Sequence, residues 1–185
     1  MTKFLTDNAK QWLQPSAVGK LHERQEGVPY RISKSSYIDN YDKSVPAADA
    51  LRRIGRSMVN FVPQSYEKLQ IINYGIGGQY EPHFDAFFDD DPDPFRDGGG
   101  NRIYTLLYLL EAPESGGATV FPNLELSVKM SKGDALTWPS LTTAGEHEYR
   151  SLHAGCPVLV GSKWIANQWI KEHDNMFARP CIPGL

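Results

Sequence analysis

Cysteine, long apolar runs and excess basic charge are all scarce in this sequence, and each scarcity excludes something. The longest apolar run, "IYTLLYLL" at 103–110, falls far short of the roughly 20 residues that cross a bilayer, so no membrane span is expected. Lys and Arg number 19 against 22 Asp and Glu, a net charge of −3. That balance leaves no basic footprint for a nucleic-acid backbone, whose binding depends on many Lys and Arg contacts. No internal repeat is present, which removes propellers and solenoids. The opening "MTKFLTDNAKQWL" is punctuated by Lys3, Asp7 and Lys10 and does not read as a signal peptide. The only two cysteines, Cys156 and Cys181, are compatible with a reduced pair or with one disulfide closing a loop of about 25 residues.

The composition fits one soluble globular domain over 1–185, with 41% apolar residues, 13 prolines and 16 glycines to supply turns. Residues 1–65 read as helical or irregular support. Within them "VPYRISKSSYI" (28–38) is a candidate strand, and "VPAADALRRIGRSMVNFV" (45–62) is an amphipathic helix, with Leu51, Ile54, Met58 and Val62 on one stripe and Pro63 as its stop. From 66 to 181 the pattern changes to short apolar runs broken by Gly, Pro and Asp. This predicts a mainly β fold with some α, a double-stranded β-helix (jelly roll) with supporting N-terminal helices.

The chemistry centres on "YEPHFDAFFDDDPDPF". If 80–85 is a strand or its end, His83 and Asp85 share a face and can grip one ion. His153, in "SLHAGCPVLV", begins a later apolar strand. Two histidines and one carboxylate leave three adjacent positions open on an octahedral metal, the facial triad of non-haem Fe(II) oxygenases. His-x-Asp also occurs by chance in many proteins. Lys163, ten residues after His153, either sits in solvent or points into the barrel, where a buried ammonium needs an anionic partner such as the far carboxylate of a 2-oxoacid.

"NYGIGGQYEPHFD", "GGNRIYTLLYLL", "GGATVFP" and "HAGCPVLVGSKW" resemble, in order and spacing, the catalytic domain of the collagen-type prolyl 4-hydroxylase alpha subunit, a 2-oxoglutarate and Fe(II)-dependent dioxygenase. The resemblance implies that His83, Asp85 and His153 hold iron and that Lys163 pairs with the far carboxylate of 2-oxoglutarate. It also implies that Tyr74 and Thr119 hydrogen-bond that carboxylate and that Tyr80 and Arg102 meet the peptide. The collagen enzymes carry a histidine eight residues beyond the cosubstrate lysine; Lys171 stands there in this chain, able to neutralise the C1 carboxylate but not to present an imidazole.

On the same resemblance, the reaction is hydroxylation of C4 of a peptidyl proline, with O2 and 2-oxoglutarate as cosubstrates, succinate and CO2 as products, and L-ascorbate restoring Fe(II). The expected substrate is a collagen-like or other proline-rich polypeptide. The resemblance leaves two arrangements, the chain working alone or with a protein disulfide isomerase subunit. Cys156 and Cys181 match a disulfide pair, which implies the endoplasmic reticulum lumen. Other readings are a dioxygenase of the same fold acting on another residue or a free amino acid, and a catalytically silent peptide-binding module. The acidic loop 87–101 reads as a lid over the peptide groove. Its Asp89, Asp90, Asp91 and Asp93 lack the Gly and Glu of an EF-hand.

Overall fold

The computed structural model describes residues 1–16, 30–39, 42–88 and 99–175. In chain order the elements are α1 (Thr2–Lys10), β1 (Gln14–Pro15), β2 (Arg31–Ile32), β3 (Lys34–Ile38), α2 (Pro46–Val59), β4 (Leu69–Tyr74), β5 (Gln79–His83), β6 (Arg102–Glu111), β7 (Ser115–Gly116), β8 (Thr119–Phe121), β9 (Leu126–Val128), β10 (Ala135–Pro139), β11 (His153–Gly155), β12 (Val158–Val160) and β13 (Lys163–Lys171). The strands form a six-stranded sheet in the order β1-β3-β4-β13-β6-β10 and a five-stranded sheet in the order β2-β5-β11-β8-β9. A small β12-β7 pair accompanies them. All recorded pairings are antiparallel, and the two sheets form the expected jelly roll.

The two-residue period of a strand divides the core. On β13, Trp164, Ala166 and Ile170 join Leu106, Tyr108 and Leu110 of β6 and Leu69 and Ile71 of β4 on the outer face of the large sheet. Leu5 and Ala9 of α1 and Ala48, Leu51 and Val59 of α2 cover that face. Their alternates, Ile72, Tyr74, Leu107, Leu109 and Ile165, point between the sheets and pack with Phe121, Trp138 and Val158. Helix α2 lies so close to β6 that a Cβ on Gly55 would stand 2.6 Å from the Tyr108 hydroxyl and 2.7 Å from Leu106, so a larger residue there would force those side chains to shift. Tyr108 Oη in turn donates to Leu51 O at 3.1 Å.

Several expectations need correction. Helix α2 covers 46–59 rather than 45–62, because Asn60 takes a left-handed cap (φ 52) one turn before Pro63. The candidate strand at 28–38, described from residue 30, breaks at Ser33. Its first half pairs with β5 in the small sheet and its second with β4 in the large one, so the chain changes sheets there. Residues 1–65 are therefore more than support, since β1, β2 and β3 extend both sheets. Helix α1 gave no clear signal in the sequence pattern; its buried Leu5, Thr6 and Ala9 make up a single short stripe. Cys181 and the acidic part of loop 87–101 lie outside the described residues, and the disulfide and lid expectations with them.

Candidate metal centre and cosubstrate pocket

His83 is the last residue of β5 and His153 the first of β11, and the two strands pair in register at those residues. That register sets two imidazoles side by side, ring centroids 4.2 Å apart. Asp85 lies beyond the end of β5 in a bend, so the expected shared strand face is not what brings it in. The chain bends at Asp85 and Ala86, and Thr105 Oγ1 of β6 donates to Asp85 Oδ2 at 2.7 Å. The carboxylate then faces both rings, with Oδ1 3.9 Å from His83 Nε2 and Oδ2 3.6 Å from His153 Nε2. One ligand atom from each of the three lies within 4.8 Å of the others, and all three residues are buried.

The donor set fits a divalent ion in its protonation states. His83 Nδ1 lies 2.7 Å from Glu81 O and His153 Nδ1 2.9 Å from Ser151 O, in both cases the carbonyl two residues earlier. A carbonyl only accepts, so each Nδ1 carries the proton and each Nε2 keeps its lone pair free. Burial, with His153 beside it, holds His83 well below the usual imidazole range, against the opposing pull of Asp85. Burial alone would raise Asp85, but His153, His83, Arg102 and the Thr105 hydroxyl together keep it below the usual carboxylate value. The result is a buried carboxylate facing the Nε2 atoms of two imidazoles, the ligand set suited to Fe(II).

The pocket beside the triad, about 400 Å³ including its open mouth, is lined by His83, His153, Tyr80, Thr119, Lys163 and Asn167 among others. Lys163 opens β13 and is only 5% exposed. Among the described residues its one hydrogen bond goes to Thr119 Oγ1 at 3.2 Å, and no carboxylate pairs with it. Burial, slightly offset by nearby Cys156, pulls its ammonium down to about 8. Tyr74 stands directly across from Lys163 in the β4–β13 pairing, but its hydroxyl is engaged by the side chains of Arg31 and Ser33. Tyr80 stacks on His83 at 3.6 Å, with Arg31 4.6 Å above its ring and the Tyr30 ring against its edge.

Two expected residues are placed differently. Arg102, expected at the peptide, is half-buried in a clamp: Nε and Nη2 donate to the Glu67 carboxylate at 2.6 and 2.9 Å, and the guanidinium lies 3.8 Å from the Trp169 ring and 4.8 Å from Phe87. Its Nη1 approaches Asp85 O at 3.4 Å. Lys171 is buried on β13 but does not line the pocket; its chain packs on Gly99 and its Nζ lies 6.0 Å from the Phe87 ring centre. Sequence reading missed Thr105, Glu67 and Asn101. Asn101 closes the base of loop 87–101, taking Phe87 N on Oδ1 at 2.8 Å and donating Nδ2 to Phe87 O at 2.9 Å.

Comparison with known proteins agrees with this geometry. The profile of the 2OG-Fe(II) oxygenase superfamily matches residues 69–171. Prolyl 4-hydroxylase subunit alpha-1 of Mus musculus is 46% identical over 157 residues, covering 84% of this chain and 29% of the relative. Subunit alpha-3 of the same species is 44% identical over 174 residues, covering 94% and 32%. The chain thus spans about a third of the length of the curated relatives it matches. The 2OG complex of the viral collagen prolyl hydroxylase from Paramecium Bursaria Chlorella virus-1 superposes with a TM-score of 0.70 at 27% identity, covering 92% of this chain and 88% of that one.

Proposed function

This chain belongs to the 2OG-Fe(II) oxygenase superfamily, takes Fe(II) and 2-oxoglutarate, and from that premise we propose that it hydroxylates C4 of peptidyl proline in collagen-like or other proline-rich polypeptides. The observation that carries the reading is a pocket with a metal triad at one end and, at the other, a buried lysine that no carboxylate of the described residues neutralises. The resemblance of its motifs to the collagen enzymes supplies the substrate class.

When bound, Fe(II) and 2-oxoglutarate supply oxidative decarboxylation: the 2-oxoacid becomes succinate and CO2, one oxygen atom of O2 entering succinate and the other the substrate C–H bond. The protein's residues hold, orient and shield. His83 and His153, with their Nδ1 protons tied to backbone carbonyls, present Nε2 in fixed directions. Thr105 fixes one oxygen of Asp85. Lys163, with Thr119, offers the charge that a distal carboxylate needs, and Tyr74 forms the wall opposite. Arg102 acts on this reading as a positioning residue for the Asp85 turn, because its donors are spent on Glu67. Tyr80, half-buried over His83, is the aromatic face offered to a proline ring. A polyproline II segment suits such a site because its backbone groups are free and its rings exposed.

A protein disulfide isomerase subunit, a Cys156–Cys181 bridge, L-ascorbate as reductant and the endoplasmic reticulum lumen complete the proposal, on the resemblance alone. The decisive experiment incubates the protein with Fe(II), 2-oxoglutarate and a (Pro-Pro-Gly) repeat. Succinate formed together with a gain of one oxygen mass on proline is the expected result. Succinate only with other acceptors would transfer the activity to another residue or a free amino acid, and peptide binding without succinate would make the domain a silent binding module.

A further inference from the structure

We propose that Asn167 is the hydrogen-bond donor to the carboxylate that 2-oxoglutarate places at the metal, the C1 end, in the position that Lys171 leaves unserved. The inference rests on the cosubstrate reading above and adds a residue to it.

Asn167 lies on the inward face of β13, opposite Gln70 of β4 and Leu107 of β6. It lines the same pocket as His83, His153, Thr119 and Lys163. Its Oδ1 is shut from solvent without a hydrogen-bond partner, and no described residue bonds either end of its carboxamide. An amide oxygen left unpaired out of water is unfavourable, so a carboxamide in a pocket wall is suited to pair with a ligand there. The two ends of a carboxamide have nearly the same shape, and a half-turn exchanges them, so the ligand decides which end it meets.

Position along the strand decides which carboxylate is served. Between Asn167 and Lys163 on the same face stands Ile165, so the far carboxylate belongs to Lys163 and Thr119. On the other side stands Trp169, directly across from Thr105, the residue that holds Asp85. Asn167 therefore sits toward the metal. Charge decides the polarity of the contact. A metal-held 2-oxoacid presents carboxylate oxygen, which only accepts, and a neutral N–H answers it without adding a second cation near the metal. Lys171, packed on Gly99 and outside the lining, is not placed to do this.

The test is an anaerobic titration of the Fe(II)-loaded protein with 2-oxoglutarate, following the visible charge-transfer absorption of an Fe(II)–2-oxoacid chelate, with Fe(II) affinity and thermal midpoint measured in parallel. Asn167→Leu should weaken 2-oxoglutarate binding roughly tenfold or more, the scale of a hydrogen bond to a charged group, with Fe(II) affinity unchanged. Asn167→Asp, which keeps the shape but turns a donor into a repelling acceptor, should weaken it further, and it keeps the test decisive if the leucine variant folds poorly. Binding within twofold of wild type for Asn167→Leu overturns the assignment. So does Asn167→Asp binding as tightly as wild type, which would make the residue an acceptor. A wild-type protein that gives no charge-transfer band sinks the cosubstrate reading itself, and this inference with it.

Discussion

The two ends of the pocket are built on opposite principles. At the metal end the ligand side chains are held before any ion arrives: two Nδ1 protons are tied to backbone carbonyls, and one Asp85 oxygen is tied to Thr105. At the cosubstrate end Lys163 has one neutral hydrogen-bond partner and no carboxylate among the described residues. The difference matches what each end must bind. An ion needs donors fixed in direction, and preorganisation supplies them. A dianion needs compensation that is missing until it binds, so a buried, unpaired cation makes the free pocket costly and the filled one favourable.

The largest test of this contrast is His153→Ala, which should abolish turnover and iron retention together while leaving the thermal midpoint near wild type, since β11 keeps its backbone pairing. Full activity in that variant would remove the triad. At the other end Lys163→Ala should leave iron bound and raise the KM for 2-oxoglutarate by roughly a hundredfold, the scale of an unpaired buried carboxylate. An unchanged KM would take the lysine out of the anchor role. Thr105→Val deletes the hydroxyl at nearly constant volume and should loosen Fe(II) by about tenfold, as loss of an outer hydrogen bond to a ligand does. Equal iron affinity, measured by competition with a chromogenic chelator, would show that Asp85 needs no such support.

The ends should also separate by pH. Burial brings the free Lys163 ammonium down to about 8, so the charge that 2-oxoglutarate needs is present below that pH and lost above it. Above pH 8 binding must take up a proton, and the apparent Kd should rise by up to about tenfold per pH unit. A flat profile from 7 to 9.5 by calorimetry would mean that the lysine stays charged without its ligand. The smallest effect belongs to Lys171→His. With Lys171 outside the lining, 2-oxoglutarate affinity should change by less than about twofold, and a larger gain would return this position to the cosubstrate.

Much of this site was legible early because its ligands are chemically conspicuous. His83 and Asp85 are two residues apart, His153 opens an apolar run, and Lys163 interrupts one where burial makes a cation costly. The short apolar runs likewise marked 66–181 as mainly strand. What local pattern could not carry was the partner of each polar group. Arg102 looks like any exposed basic residue until the fold sets Glu67, 35 positions away in the chain, against it. Asn101 reads as the end of a loop until it bonds both backbone groups of Phe87.

The sequence by itself determined the residue types that can hold Fe(II) and answer a 2-oxoacid, and the β pattern that carries them, because these follow from side-chain chemistry and a two-residue period. Only the tertiary structure decided how they are aimed. Asp85 lies past the end of its strand and is held by Thr105, each histidine is oriented by the carbonyl two residues before it, and Lys163 is buried without a charged partner among the described residues. Direction and satisfaction of hydrogen bonds depend on groups brought together from distant parts of the chain, and only closure of the two sheets brings them there.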